Sequence, residues 1–324
     1  MSDSNVYVVT GADGYIASVL VKRLVESGAH VRATVGRESS GQEIKKYLSP
    51  SGSGSGKLEI FIIPDITIPG AFKEVLEGAT HMFHVAGGGK MDAEKDVLDP
   101  ARAGTLTLLK DAVEAKIQRV VYTSSVAAIK VGTSNTCDET HWNALISDEA
   151  IQGLKSDDPT EAMKASSASK RVAEEAVWDF VRETNAFPLV TLQPVMVIGK
   201  AMPGESNAHL CNTLRPVQSE NGTSGYGDIE HLVEAHIQAM KRDEANGKRF
   251  LLLRRPPAAL VLGIQYRSVK ESLKRMVDSA VESGAAKDSP AGRNSASKWS
   301  VSIHDVCERK ACSGSSSSTH SDGD

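Results

Sequence analysis

The stretch Val6-Tyr7-Val8-Val9-Thr10-Gly11-Ala12-Asp13-Gly14-Tyr15-Ile16-Ala17 decides the fold. Val6–Val9 is an apolar run of strand length, and from Ile16 onward apolar residues recur at helical spacing, so the two glycines fall in a strand-to-helix turn. Gly11 permits a tight exit from the strand, Gly14 lets the backbone come close to a pyrophosphate, and the small Ala17 lets the helix pack closely on the sheet. An anion there meets the helix N-terminus, where unpaired N–H groups and the helix dipole favour negative charge. An ordinary strand-to-helix turn would use glycine as well. Placement at the start of a strand–helix–strand unit is what favours nucleotide binding, with Gly11, Gly14, Tyr15 and Ile16 as contacts.

Outward from this turn, strand and helix patterns alternate to about residue 200. The strands are expected at Val6–Val9, Val31–Val35, Leu58–Ile63, His81–Val85, Arg119–Thr123 and Leu189–Leu192, with helices at Ile16–Ser27, Gly70–Glu77, Pro100–Ala115 and Ser167–Thr184. Such alternation predicts an α/β fold, a doubly wound parallel sheet covered by helices on both faces, and right-handed crossovers then give the Rossmann topology. The expected organisation is one domain over residues 1–283, whose stretch from about 200 to 283 forms a small, shortened C-terminal substrate lobe. Ser49–Gly56 reads as a surface loop. Residues 284–324, rich in Ser, Asp, Lys and Gly, read as a disordered low-complexity tail without a catalytic role.

The totals narrow the function classes. A chain of 324 residues can bury a full core, and a net charge of -4 without a basic stripe gives no electrostatic reason for a nucleic-acid or anionic-membrane partner. No apolar run approaches a membrane span, and Met1-Ser2-Asp3-Ser4 lacks a basic and apolar leader, so the expectation is a cytoplasmic protein, monomer or homodimer. Cys137, Cys211, Cys307 and Cys312 lack metal-ligand or redox-pair spacing and read as reduced thiols. His81, His84 and His141 lack the paired spacing of a metal site, and Trp142, Trp178 and Phe180 suit packing better than ligand stacking.

Tyr122-Thr123-Ser124-Ser125 closes a strand at the carboxyl edge of the sheet, where doubly wound folds place their ligands, and a hydroxyl there can hydrogen-bond a substrate carbonyl. A serine capping the strand end would look the same. Downstream, Ser166-Ser167-Ala168-Ser169-Lys170 enters a helix continuing Arg171-Val172-Ala173-Glu174, and Leu192-Gln193-Pro194-Val195-Met196-Val197-Ile198-Gly199 forms the next strand and its exit loop.

With these segments the chain resembles the extended short-chain dehydrogenases/reductases, nearest to the group of dihydroflavonol reductases, cinnamoyl-CoA reductases and fungal aldehyde or ketone reductases. The resemblance runs through Thr10–Ala17, Pro64-Asp65-Ile66-Thr67, Asp99-Pro100 with Gly104-Thr105, Arg119–Ser125, Asp138-Glu139 with Trp142, Ser169-Lys170 with Ala173-Glu174, Gln193-Pro194 to Gly199, Tyr226-Gly227-Asp228-Ile229 and Leu262–Arg267. It implies reduction of a ketone or aldehyde by a Ser, Tyr and Lys triad, in which the serine orients the carbonyl, the tyrosine donates a proton and the lysine binds the nicotinamide ribose. Carried over, the serine is Ser125, the lysine is Lys170, and the tyrosine position is held by Ser166. A serine hydroxyl is far less acidic and its side chain much shorter than a phenol, so three readings follow. The chain is a reductase relaying the proton through Ser166 or water, a catalytically silent dinucleotide-binding protein, or a chain altered at one position. Epimerase or dehydratase chemistry on a nucleotide sugar shares the fold and is disfavoured by the reductase-like segments.

The choice of dinucleotide falls after the second strand, where a carboxylate suits the ribose of NAD and a basic residue the phosphate of NADP. There Arg37, with Arg32 or Lys45 in support, points to NADP, while Glu38 beside it would suit NAD; NADP is favoured. Asp65 and Ile66 are expected to flank the adenine, Ala86 and Gly87 to pass close to the cofactor, and Pro194 and Val197 to contact it. Asp228 is read as structural.

Overall fold

The computed structural model describes residues 5–48, 56–87, 98–129, 138–143, 159–200, 226–252 and 256–266, with isolated positions between 271 and 278. All of the expected loop Ser49–Gly56 but Gly56, all four cysteines, and the tail at 284–324 lie outside the described residues, as does most of the expected substrate lobe.

Seven strands form one sheet in the order β3-β2-β1-β4-β5-β6-β9. They are β1 (Val6–Val9), β2 (His30–Val35), β3 (Lys57–Ile62), β4 (His81–His84), β5 (Arg119–Thr123), β6 (Leu189–Pro194) and β9 (Lys248–Leu252). All neighbouring pairs run parallel. The order reverses between β1 and β4, the switch point at which doubly wound sheets open a crevice. The short strands β7 (Met196–Ile198) and β8 (Tyr226–Asp228) pair in a separate parallel sheet.

Helices α1 (Tyr15–Glu26), α6 (Ile229–Lys241) and α7 (Pro256–Leu262) supply one core with the sheet, and α3 (Lys73–Leu76), α4 (Leu98–Glu114) and α5 (Pro159–Thr184) supply the other. In α1 the buried set Ala17, Ser18, Leu20, Val21, Leu24 and Val25 makes the stripe that a helix docked on a sheet requires. The central strands β1, β4, β5 and β6 are buried on both faces, which explains their continuous apolar runs.

Several boundaries differ from expectation. The helix expected at 70–77 is confined to Lys73–Leu76 because Gly70 adopts φ +81°, which starts a turn. Helix α2 (Glu38–Leu48) follows β2 directly, where charge had been read but no helix. Strand β6 continues to Pro194 because β9 runs alongside it, with Pro194 facing Leu252. Helix α5 begins at Pro159, well before the expected Ser167.

Candidate functional site

Five of the predicted site segments follow neighbouring strands at one edge of the sheet. In spatial order they are Asp65-Ile66 beyond β3, Arg37 beyond β2, Gly11 beyond β1, Ala86-Gly87 beyond β4 and Ser125 beyond β5, with Pro194 closing β6 next to them. A chain segment separated by up to 183 residues in sequence is thus collected on one line by parallel pairing alone.

The turn at its centre is built to leave backbone exposed. Gly11 has φ +66°, and a Cβ placed on it would come within 3.0 Å of Ala86 Cα and Cβ. Its N–H reaches Thr34 Oγ1 at 3.2 Å, Ala12 N–H donates to the Thr34 carbonyl at 2.8 Å, and Gly14 N–H donates to the Gly11 carbonyl at 2.9 Å. Gly14 is the N-cap of α1; it brings no side-chain cap, and no acidic residue stands in the first turn. The helix therefore offers an anion both its dipole and uncapped N–H groups, and the cradle closes if a Cβ is added. These residues fit a dinucleotide phosphate. Tyr15 donates its hydroxyl to the Gly199 carbonyl at 3.1 Å, tying the turn to the loop beyond β7, and Ile16 packs on the α1 side of the core.

Arg37 is exposed at the end of β2, in front of α2. Arg32 does not support it. Its guanidinium donates to the carbonyls of Val75 (3.0 Å) and Glu77 (2.5 Å) and lies over Phe61, so it serves packing at the sheet edge. Asp65 Oδ1 accepts the N–H (2.8 Å) and hydroxyl (2.6 Å) of Thr67, which hold its carboxyl below the usual range. Ile66 packs against α4 at Gly104, where a Cβ would come within 2.8 Å of its Cδ1.

Lys170 projects from α5 and donates its ammonium to the Gly87 carbonyl, so the helix and the end of β4 meet. Burial pushes the Lys170 ammonium below the usual lysine range. Ser166 stands one helical turn before it, on the same face and partly buried, and its carbonyl accepts the Ser169 hydroxyl at 2.7 Å. Ser125 Oγ accepts Ala127 N–H at 3.1 Å and caps a 3-10 turn, Val126–Ala128. The capping alternative is thus realised, yet the hydroxyl proton of Ser125 is left for an acceptor. Val197 lies in β7, opposite Gly227, on the separate sheet.

Sequence reasoning passed over two buried polar groups. Thr10 Oγ1 lies 2.8 Å from His84 Nδ1 beneath the turn, and the Glu174 carboxylate gathers donors from several elements. Their role becomes readable only from burial, since neither residue type in its place in the sequence tells a buried polar group from an exposed one. Trp142 packs, as expected, beneath the Arg249 guanidinium at 3.6 Å. Asp228 is structural, capping α6 through Glu230 N–H (2.8 Å) and accepting the Ser272 hydroxyl (2.6 Å). Among the described residues no helix is long and apolar enough to cross a membrane.

Comparison with known proteins places this geometry. The model of the NAD dependent epimerase/dehydratase family matches residues 7–251. A Candida albicans protein assigned as an NADPH-dependent methylglyoxal reductase is 30% identical over 282 residues, 79% of this chain and 80% of that one. A Medicago truncatula cinnamoyl-CoA reductase is 32% identical over 259 residues, 77% of this chain and 76% of the relative. Among solved structures, the yeast methylglyoxal/isovaleraldehyde reductase Gre2 complexed with NADPH superposes with a TM-score of 0.72 at 22% identity, over 86% of this chain and 99% of that one.

Proposed function

The chain belongs to the NAD dependent epimerase/dehydratase family, and we propose that within it the protein is an NADP-dependent reductase of ketone or aldehyde carbonyls. The observation that carries the reading is the Lys170–Gly87 contact, which brings a half-buried lysine from α5 to the sheet edge holding the Gly11 turn and Ser125. The relatives named for NADPH-dependent reduction and for cinnamoyl-CoA reduction support it.

In this reading Gly11 and Gly14 let the backbone come close to the pyrophosphate, the N–H groups at Tyr15 and Ile16 hold it, and Arg37 takes the ribose phosphate through its planar fork. Asp65 accepts from the adenine amino group through the oxygen that Thr67 leaves open, and Ile66 packs on the ring. Ala86 and Gly87 give clearance, Lys170 binds ribose hydroxyls, and Pro194 and Val197 bound the nicotinamide side. Bound NADPH supplies the hydride for the carbonyl carbon. Ser125 donates its hydroxyl proton as a hydrogen bond to the carbonyl oxygen. The proton that oxygen gains comes through Ser166 or a water beside Lys170, whose positive charge favours the ionised form of whichever hydroxyl gives it up.

Ser166 favours a second reading, a dinucleotide-binding protein without turnover, because no phenol stands beside Lys170 among the described contacts. NADPH oxidation with aromatic aldehydes and β-ketoesters separates the two. Turnover that is lost in Lys170→Ala supports the reductase. Tight NADPH binding without turnover by the unmodified chain supports the silent protein.

A further inference from the structure

Glu174 is completely buried, yet its carboxylate is the meeting point of three strands and a helix. Oε1 accepts from Gln193 Nε2 (2.6 Å), Thr191 Oγ1 (2.8 Å) and Arg249 Nε (2.9 Å), with Trp178 Nε1 at 3.4 Å, while Oε2 accepts the Ser124 hydroxyl at 2.5 Å. Two of the donor segments lead into the candidate site. Ser124 precedes Ser125 at the end of β5, and Gln193 precedes Pro194 at the end of β6. Glu174 itself lies on α5 one turn beyond Lys170 and two beyond Ser166, on the same face of the helix.

The counter-charge comes from the sheet edge. The Arg249 side chain, on β9, is 11% exposed and also donates to the carbonyls of Glu139 (2.7 Å) and His141 (3.0 Å) while covering Trp142. The 138–143 segment is in turn fixed to the Ser125 turn, because Asn143 N–H donates to the Ala128 carbonyl (2.8 Å) and its amide to the Ala127 carbonyl (2.7 Å). Arg171, next to Lys170, donates to the Asn143 carbonyl and closes the circuit on α5.

We propose that Glu174 is a positioning residue: its carboxylate, paired with Arg249, sets the depth and rotation of α5 so that Lys170 and Ser166 face the strand ends carrying Ser125 and Pro194. A buried ion pair can be exchanged for uncharged groups with little loss of stability, whereas removing one partner strands the other charge. If stability were the role of Glu174, an uncharged pair would replace it. Positioning requires the particular set of donors that a carboxylate gathers. The consequence for turnover rests on the reductase reading; the consequence for Lys170 does not.

The test compares the unmodified chain with Glu174→Gln and with the double variant Glu174→Gln/Arg249→Met. Three readouts are taken: thermal midpoint, turnover per NADPH-binding site, and titration of the Lys170 ammonium by NMR on protein carrying labelled lysine, with the Lys170 signal identified by its loss in Lys170→Arg. Expected are a lowered midpoint in the single variant and recovery of the midpoint in the double variant. Turnover per site stays down about tenfold or more in both, a factor typical of a misplaced catalytic group, and the Lys170 titration is displaced from that of the unmodified chain in both. NADPH affinity falls only by the part that Lys170 and Pro194 contribute, because the Gly11 turn takes no contact from this network. A double variant that regains its midpoint, its turnover and the original Lys170 titration together overturns the proposal. Should the double variant fail to fold, Ser124→Ala, which cuts the β5 tether alone, is read in the same way. If the unmodified chain turns over no substrate, the reductase reading fails and the Lys170 titration still decides the inference.

Discussion

Thr10 Oγ1 accepts the N–H groups of both Val85 and Ala86 at 3.1 Å, so its two lone pairs are used and its proton must go to His84 Nδ1, 2.8 Å away. This fixes His84 as the neutral tautomer protonated on Nε2, and welds the exits of β1 and β4, the two strands at which the sheet order reverses. Nε2 is buried without a partner among the described residues. Burial, with the Lys170 ammonium adding to it, pushes the His84 pKa down to about 3.

An acid-sensitive fold follows. Burial also pushes His236 down to about 4, against an ordinary histidine value near 6.5 in the unfolded chain. Between these values the unfolded state binds more protons, so stability is present above about pH 6.5 and lost as pH falls through the window. With both histidines neutral in the native state, the slope near pH 5 is about 2–3 kcal/mol per pH unit. Urea midpoints taken from pH 7 to pH 4.5 should show it, with His84→Asn reducing the slope by roughly half. An unchanged slope in that variant would remove His84 from the account.

Gly11→Ala tests the phosphate cradle. The substitution forces an L side chain into φ +66° and drives its Cβ to 3.0 Å from Ala86, which sits on the Thr10 clamp. The expected strain is about 1–3 kcal/mol, and cofactor affinity by fluorescence titration should fall about tenfold or more. Retained affinity would place the phosphates elsewhere.

Arg37→Ala tests the choice of dinucleotide. Loss of a charge-assisted contact of about 1.5–3 kcal/mol raises the KM for NADPH roughly 10- to 100-fold. The KM for NADH should hardly move. A parallel rise for both cofactors would mean that Arg37 supports the fold of the β2–α2 junction instead.

Ser166→Tyr restores an acidic hydroxyl one turn from Lys170. A positioned general acid contributes about 10² to 10⁴ in rate, so kcat should rise by that order with little change in NADPH affinity. No rise would show that the proton path of this chain does not pass through position 166.

The elements that carry the proposed nucleotide site were legible because their signals are local. Val6–Val9, Gly11 and Gly14 lie close together in the chain, and the central strands β1, β4 and β5 are the apolar runs that parallel burial demands. Arg32 misled because alternation along β2 leaves open whether a guanidinium reaches ligand or carbonyl, and here Val75 and Glu77 take it. The Glu174–Arg249 pair spans 75 residues, and although Glu174 stands in the run Ala173-Glu174, nothing in the sequence joins it to Arg249. β9 and α6 fell beyond the regular alternation, in a part of the chain where the sequence suggested a shortened lobe, although Phe250, Leu251 and Leu252 are as buried as any strand in the sheet.

In the proposed reaction a hydride passes from NADPH to a carbonyl at the Lys170–Ser125 edge. The most direct test incubates the chain with an aromatic aldehyde or β-ketoester and NADPH deuterated at one or the other C4 position, and weighs the alcohol by mass spectrometry. One added mass unit is expected from only one of the two labelled cofactors, and none at all with Lys170→Ala. Tight NADPH binding with no labelled alcohol from either cofactor would contradict the proposed reaction.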